Sequence, residues 1–199
     1  GYIDLIKEGK PKEALELIRE TTPFPGILGR VCAHPCEEKC KINDVEEALS
    51  IKNLKRYAAK FDDPSDWDLS TEPDTGKEIA IIGSGPAGAT AAYDLVKEGH
   101  DVTIYEKLPV VGGMLRVGIP AYRLPHDVID EEYSILEKLG VEIKLNTEIG
   151  EDIPFEKLEN DYDAVFVAHG AHESVMLPID GSDLEGVKPG VDILRKAGL

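Results

Sequence analysis

Cysteine, long apolar runs and positive charge are all scarce in this 199-residue chain. Only three cysteines occur, and they are clustered, which excludes a spread disulfide framework and favours a reducing, cytoplasmic setting. No run approaches the roughly 18 apolar residues of a membrane span, and no signal peptide opens the chain. Lysine and arginine total 22 against 39 acidic residues, so the formal net charge is −17. This charge argues against nucleic acid or an anionic membrane as a partner.

The cysteines are Cys32, Cys36 and Cys40, at a strict spacing of four within "GRVCAHPCEEKC". Thiolates are soft ligands that suit iron–sulfur clusters, but one all-cysteine [4Fe-4S] cluster usually takes four of them. Zinc held by Cys32, Cys36 and His34 is an alternative, since zinc accepts sulfur and nitrogen ligands. A third possibility is that the cysteines are remnants of a degenerate site.

Periodicity divides the chain into three parts. Residues 1–61 have helical spacing of apolar side chains, and residues 62–77 form an acidic, turn-rich linker in which Trp67 is expected to pack on a domain surface. Residues 78–199 begin with a strand, a helix rich in small residues and a second strand, which is a βαβ unit. The spacing of apolar residues also predicts a helix over 43–61, a strand over 141–149 and a strand running into a glycine turn over 163–171. The sequence therefore predicts a helical domain, a linker and a Rossmann-like α/β domain. Neither end of the chain has an obvious start or stop, so we expect both to be cut.

The segment "IAIIGSGPAGATAAYDL" contains Gly83, Gly85 and Gly88 between the first strand and its helix. Glu106 ends the next strand, 18 residues after Gly88. This is the full context of the dinucleotide fingerprint. The glycines let a pyrophosphate approach the amino end of the helix, and the carboxylate accepts a hydrogen bond from a ribose hydroxyl. The second glycine pair in "VVGGMLRVG" resembles flavoproteins of the glutathione reductase type, which favours FAD.

Several segments in this order resemble one family of FAD and iron–sulfur oxidoreductases. The segments are "PFPGILGRVCAHPCEEKC", "SIKNLKRYAAKF", "AIIGSGPAGATAA", "VGGMLRVGIPAYRLP" and "KLNTEIG". The family comprises the glutamate synthase small subunit, the N-terminal half of dihydropyrimidine dehydrogenase, and the flavin subunit of NADH-dependent ferredoxin:NADP oxidoreductase. The resemblance implies a small helical iron–sulfur domain followed by an FAD-binding domain. It also implies that NAD(P)H reduces the flavin and that electrons leave through [4Fe-4S] clusters to a larger catalytic subunit or domain.

The resemblance also implies the site residues. Cys32 and Cys36 would serve one cluster and Cys40 another. His169 and His172 would be structural, because hydride transfer to flavin needs no acid–base pair. The residues expected to contact FAD are Gly83, Ser84, Gly85, Pro86, Ala87, Gly88, Glu106, Lys107, Gly113, Met114, Leu115, Arg123, Ile149 and Gly170.

This sequence departs from the family pattern in three ways. It has no second glycine fingerprint, so we expect the NAD(P)H domain and the end of the FAD domain to be missing. It has no upstream cysteine block, and Lys55 and Arg56 stand where relatives can offer a Glu or Gln ligand. We therefore expect the clusters to be absent or incomplete in this chain, and the chain alone to be inactive. The alternatives are a non-catalytic docking module of a larger reductase and a stand-alone NAD-binding dehydrogenase.

Overall fold

The chain forms two compact units. A computed structural model describes all residues, Gly1–Leu199, and they divide into Gly1–Asp68 and Leu69–Leu199. The predicted linker, 62–77, is divided between the two units, and the predicted domain bounds stay a prediction. No helix is long and apolar enough to cross a membrane.

The first unit contains only helices and turns. The α-helices are α1 (Tyr2–Lys7), α2 (Pro11–Arg19), α3 (Pro25–Val31), α4 (Pro35–Glu38) and α5 (Ile51–Ala58). Short 3₁₀ turns cover Lys41–Asp44 and Ala59–Phe61. Pro11 and Pro25 occupy the first turns of α2 and α3, where a missing backbone N–H costs nothing.

The core of the first unit lies between α2 and α5. Leu15 and Ile18 of α2 pack against Ala58 of α5, and all three are buried. Gly29 of α3 lets that helix approach α5 closely, because a Cβ at this position would lie 2.8 Å from the Cα of Arg56. The predicted helical character of this part of the chain is confirmed.

Trp67 is buried within the first unit, which confirms its predicted packing role. Its indole N–H donates to Asp62 Oδ1 at 2.7 Å, and the Arg19 guanidinium lies 5.0 Å from the ring centroid. Arg19 also donates to both carboxylate oxygens of Asp62. An arginine and a tryptophan thus share one carboxylate, which joins the segment after α5 to α2.

The second unit is a parallel sheet with helices. Its strands are β1 (Glu78–Ile82), β2 (Asp101–Tyr105), β3 (Glu142–Lys144) and β4 (Ala164–Val167), in the spatial order β3-β2-β1-β4. Its helices are α6 (Pro86–Lys97), α7 (Met114–Val117), α8 (His126–Lys138), α9 (Phe155–Asp161) and α10 (Gly190–Gly198). All three strand pairs are parallel, so the carboxyl ends of all strands meet at one edge. The predicted order, a helical part followed by a Rossmann-like part, is confirmed.

Two predicted elements are shorter in the structure. The helix predicted from residue 43 begins at Ile51, and the Glu37 carboxylate accepts the Lys52 N–H in its first turn at 2.8 Å. The strand predicted over 141–149 covers only Glu142–Lys144. Asn146 adopts a φ of +53°, which turns the chain away from the sheet.

Candidate functional site: a cavity at the carboxyl ends of the strands

A cavity of about 800 Å³ lies where the strands of the second unit end. Its wall includes Ile82, Tyr105 and Val167, the last residues of β1, β2 and β4. Ligands of open α/β sheets bind at this edge, and the volume is typical of a cofactor site.

The glycine loop forms one wall of the cavity. Gly83 has a φ of +102°, and a Cβ there would lie 2.6 Å from the Ala168 carbonyl oxygen, so only glycine fits between β1 and β4. Gly88 packs against the same turn, where a Cβ would overlap the Gly83 carbonyl oxygen. Gly85 differs from both, because a Cβ at this position would meet no atom within 4 Å. Its missing side chain therefore leaves open space on the cavity side.

The amino end of α6 faces this open space. Gly85 is the N-cap residue, and no side chain caps the helix. Pro86 and Ala87, the next residues, also line the cavity. Uncapped amide groups together with the helix dipole favour an anion here, and α6 is twelve residues long.

The second glycine pair closes the loop from the other side. Gly113 has a φ of +52°, and its Cβ would lie 2.9 Å from the Gly85 Cα. Gly112 donates its N–H to the Ser84 carbonyl at 3.3 Å. The two glycine segments are therefore in backbone contact, which places α7 and Met114 at the cavity.

Glu106 supplies the buried charge of the site. The residue is only 5% exposed and lines the cavity. It follows β2, and its backbone is fixed because its N–H donates to Lys144 and its carbonyl accepts from Thr147. An ionised carboxylate only accepts hydrogen bonds, so it suits a ligand group that donates one, such as a ribose hydroxyl.

The far wall carries polar residues that follow β3 and β4. Burial lowers the pKa of His172, and the nearby positive charges of Arg195 and Lys107 lower it further. Thr147, Glu148 and His169 also line the cavity. The sequence pattern did not assign these wall residues to the site, although each lies near the carboxyl end of a predicted strand, 141–149 or 163–171, which is the signal that could have identified them.

Most of the predicted FAD contacts lie on the cavity wall. Those that line it are Gly83, Gly85, Pro86, Ala87, Glu106, Lys107, Gly113, Met114, Ile149 and Gly170. Ser84 and Gly88 are buried behind the loop, Arg123 is exposed outside the cavity, and Leu115 does not line it. Contact of any of these residues with FAD stays a prediction.

The residues present fit FAD. A dinucleotide needs a cradle without side chains for its pyrophosphate, a helix amino end and a carboxylate for its ribose. Gly85 supplies the cradle, α6 the helix end and Glu106 the carboxylate. A carboxylate at the ribose position also disfavours a ligand with a 2′-phosphate there.

The three cysteines do not assemble into a metal site. All are free thiols: Cys32 ends α3, Cys36 is exposed in α4, and Cys40 follows α4. No group of three histidine, cysteine, aspartate or glutamate side chains anywhere in Gly1–Leu199 could hold a metal ion. These thiols alone therefore do not fit a cluster, and the zinc alternative with His34 lacks a convergent ligand set.

Nearby polar groups are already engaged. The Glu37 carboxylate accepts the Lys52 N–H and lies 3.3 Å from His34 Nδ1. Asn43 donates to the carbonyls of Glu37 and Glu38. Capping and turn contacts therefore hold the cysteine segment.

Comparison with known proteins agrees with both parts of the fold. Residues 77–198 match the family model described as pyridine nucleotide-disulphide oxidoreductase, and residues 1–67 match dihydropyrimidine dehydrogenase domain II, 4Fe-4S cluster. FprA of Mycobacterium tuberculosis in complex with NADPH is similar in structure, with a TM-score of 0.55 and 30% identity. The similarity covers 62% of this chain and 28% of FprA.

Curated relatives match nearly the whole chain. The NADP(+)-dependent formate dehydrogenase subunit beta of Moorella thermoacetica is 44% identical over 100% of this chain and 32% of its own length. The glutamate synthase [NADPH] small chain of Escherichia coli is 37% identical over 98% of this chain and 42% of its own length. The chain thus spans about a third to two fifths of these relatives. It belongs to the pyridine nucleotide-disulphide oxidoreductase family, in the group that joins this fold to a dihydropyrimidine dehydrogenase-type iron–sulfur domain.

Proposed function

We propose that this chain is the FAD-binding part of an NAD(P)H-dependent electron-transfer oxidoreductase. In the whole protein, electrons would pass between nicotinamide, flavin and iron–sulfur clusters to a partner active site. The observation that carries this proposal is the cavity in which Gly85, the α6 amino end and Glu106 meet. The relatives named for NADP(+) or NADPH support the choice of donor.

The residues of this chain would bind and orient the cofactor. Bound FAD would supply the chemistry, since a flavin accepts a hydride and can release electrons singly. Gly85 would leave room for the pyrophosphate, and the α6 amide groups would bind its negative charge. Glu106 would hold the adenosine ribose, and Met114 would line the flavin side of the cavity.

The cysteines remain proposed cluster ligands, with Cys32 and Cys36 serving one cluster and Cys40 another. Because the three thiols do not converge, we assign no complete ligand set within this chain. We also propose that the chain alone binds flavin without sustaining NAD(P)H oxidation, since its sequence holds no second glycine fingerprint.

We propose a larger catalytic subunit as the partner and a cytoplasmic location. The names of the two relatives, a subunit beta and a small chain, support a multi-subunit assembly. Three free thiols are compatible with a reducing compartment. The net charge of −17 supports a partner other than nucleic acid.

Titration of the purified chain with FAD, NADH and NADPH tests the proposed function. We expect FAD to bind in preference to both nicotinamides and to give flavin absorbance bands that dithionite bleaches. Preferential binding of NADH would favour a dehydrogenase instead. A colourless chain that binds no flavin but captures a larger reductase would favour the docking module.

A further inference from the structure

Ser84 is buried behind the glycine loop rather than at the cavity. It lies between Gly83 and Gly85, is 0% exposed and does not line the cavity. Both of its hydrogen-bond donors point to one atom. Its N–H lies 2.9 Å and its Oγ lies 2.6 Å from Glu106 Oε2.

The direction of the Ser84 hydroxyl is fixed by a second contact. The Gly112 N–H donates to Ser84 Oγ at 3.2 Å, so the hydroxyl is the acceptor in that bond. A hydroxyl has a single proton, and this proton is therefore directed to Glu106. Ser84 thus joins the first glycine loop, the second glycine pair and the Glu106 carboxylate.

The carboxylate of Glu106 is nearly saturated by the protein. A carboxylate offers about four acceptor positions, two on each oxygen. The two Ser84 bonds fill Oε2, and the Leu108 N–H fills one position of Oε1 at 2.8 Å. One acceptor position remains, on Oε1.

We propose that Ser84 is a positioning residue that restricts Glu106 to a single hydroxyl of the adenosine ribose. By saturating Oε2, Ser84 leaves Oε1 to accept either the 2′- or the 3′-hydroxyl, but not both. This inference rests on the proposed binding of FAD and goes beyond it by setting the number of ribose contacts.

Binding of two FAD analogues to the flavin-free chain tests this inference. One analogue lacks the 2′-hydroxyl of the adenosine ribose, and the other lacks the 3′-hydroxyl. A hydrogen bond to a charged group contributes about tenfold or more in affinity, so we expect one analogue to bind about tenfold more weakly than FAD. The other analogue should bind like FAD.

Two variants separate positioning from a merely structural role. In Ser84→Ala, Oε2 regains an acceptor position and loses its fixed orientation, so the two analogues should bind alike. Glu106→Gln should remove the difference as well, because the two Ser84 donors draw the single amide oxygen to the Oε2 position and leave no acceptor for the ribose. The control is Ser134→Ala, whose hydroxyl donates to the Glu131 carbonyl on α8. It should keep the tenfold ratio.

Equal losses for both analogues in the wild type would overturn the inference while leaving FAD binding intact. An unchanged ratio in Ser84→Ala would also overturn it. If Ser84→Ala does not fold, Ser84→Gly, which also lacks the hydroxyl, takes its place, and an unchanged ratio in that variant would overturn the inference. Absence of any FAD binding by the wild type would refute the proposed function and this inference together.

Discussion

Substitution of Gly85 by alanine separates cofactor binding from folding. Gly85 has a φ of −64° and a ψ of 177°, which alanine adopts freely, and its added methyl group would meet no atom within 4 Å. Replacing glycine in such a conformation restricts the unfolded chain and stabilises a protein by about 0.4–1 kcal/mol. We therefore expect the flavin-free variant to be as stable as the wild type or slightly more stable.

The same methyl group projects into the space that the pyrophosphate would occupy. Loss of one charge-assisted hydrogen bond between a backbone N–H and a phosphate costs about 1.5–3 kcal/mol. We therefore expect Gly85→Ala to bind FAD about ten- to hundredfold more weakly. Urea denaturation of the flavin-free chain measures the stability, and quenching of flavin fluorescence during titration measures the affinity.

Gly88→Ala is the matched comparison on the same helix. Its methyl group would overlap the Gly83 carbonyl oxygen, so the loop must shift, and we expect a loss of about 3 kcal/mol of stability or more. FAD bound by Gly85→Ala with wild-type affinity would refute the placement of the pyrophosphate at this loop. Destabilisation of Gly85→Ala by as much as Gly88→Ala would show that the space beside Gly85 is not open.

Two further substitutions test the packing and the charges. In Asp62→Ala, Arg19 loses its carboxylate partner while its side chain is only 12% exposed, so we expect the free energy of unfolding to fall by about 3–5 kcal/mol. Urea denaturation measures this loss, with Trp67, the single tryptophan, as the fluorescent probe. An unchanged urea midpoint would contradict the prediction. Because the folded state lowers the pKa of His172 below about 6.5, the unfolded chain binds the extra proton first as the pH falls. We therefore expect the protein to lose stability as the pH falls below about 6.5, and the His172→Gln variant to lose less. Urea midpoints of both proteins at pH 7.5 and 5.5 measure this difference. Equal losses in the two proteins would contradict the prediction.

The sequence predicts the parts of the site that depend on short-range order. Gly83 and Gly88 are needed because backbone atoms lie where their side chains would be, and this requirement follows from the strand, turn and helix around them. Glu106 is equally predictable, since it directly follows β2, the strand beside β1. The local sequence pattern, together with the rule that parallel strands end at one edge of the sheet, therefore suffices to predict these residues.

Other positions depend on contacts that no local pattern reveals. The length of β3 depends on the left-handed conformation of Asn146, and the start of α5 depends on a carboxylate fifteen residues earlier, that of Glu37. Ser84 belongs to the glycine motif, yet its side chain turns away from the cavity because Glu106 and Gly112 bind it. Arg123 matches the family segment but is exposed outside the cavity.

The two signature segments of this chain differ in how much of a site each assembles. The glycine loop meets Glu106, Gly112 and Gly113 within one unit, so a cradle, a helix end and a carboxylate converge on one cavity. The cysteine segment brings no three ligands together, and its Glu37 caps a helix. Flavin binding can therefore be tested on this chain alone, whereas the cysteine segment presents no convergent set of three ligands.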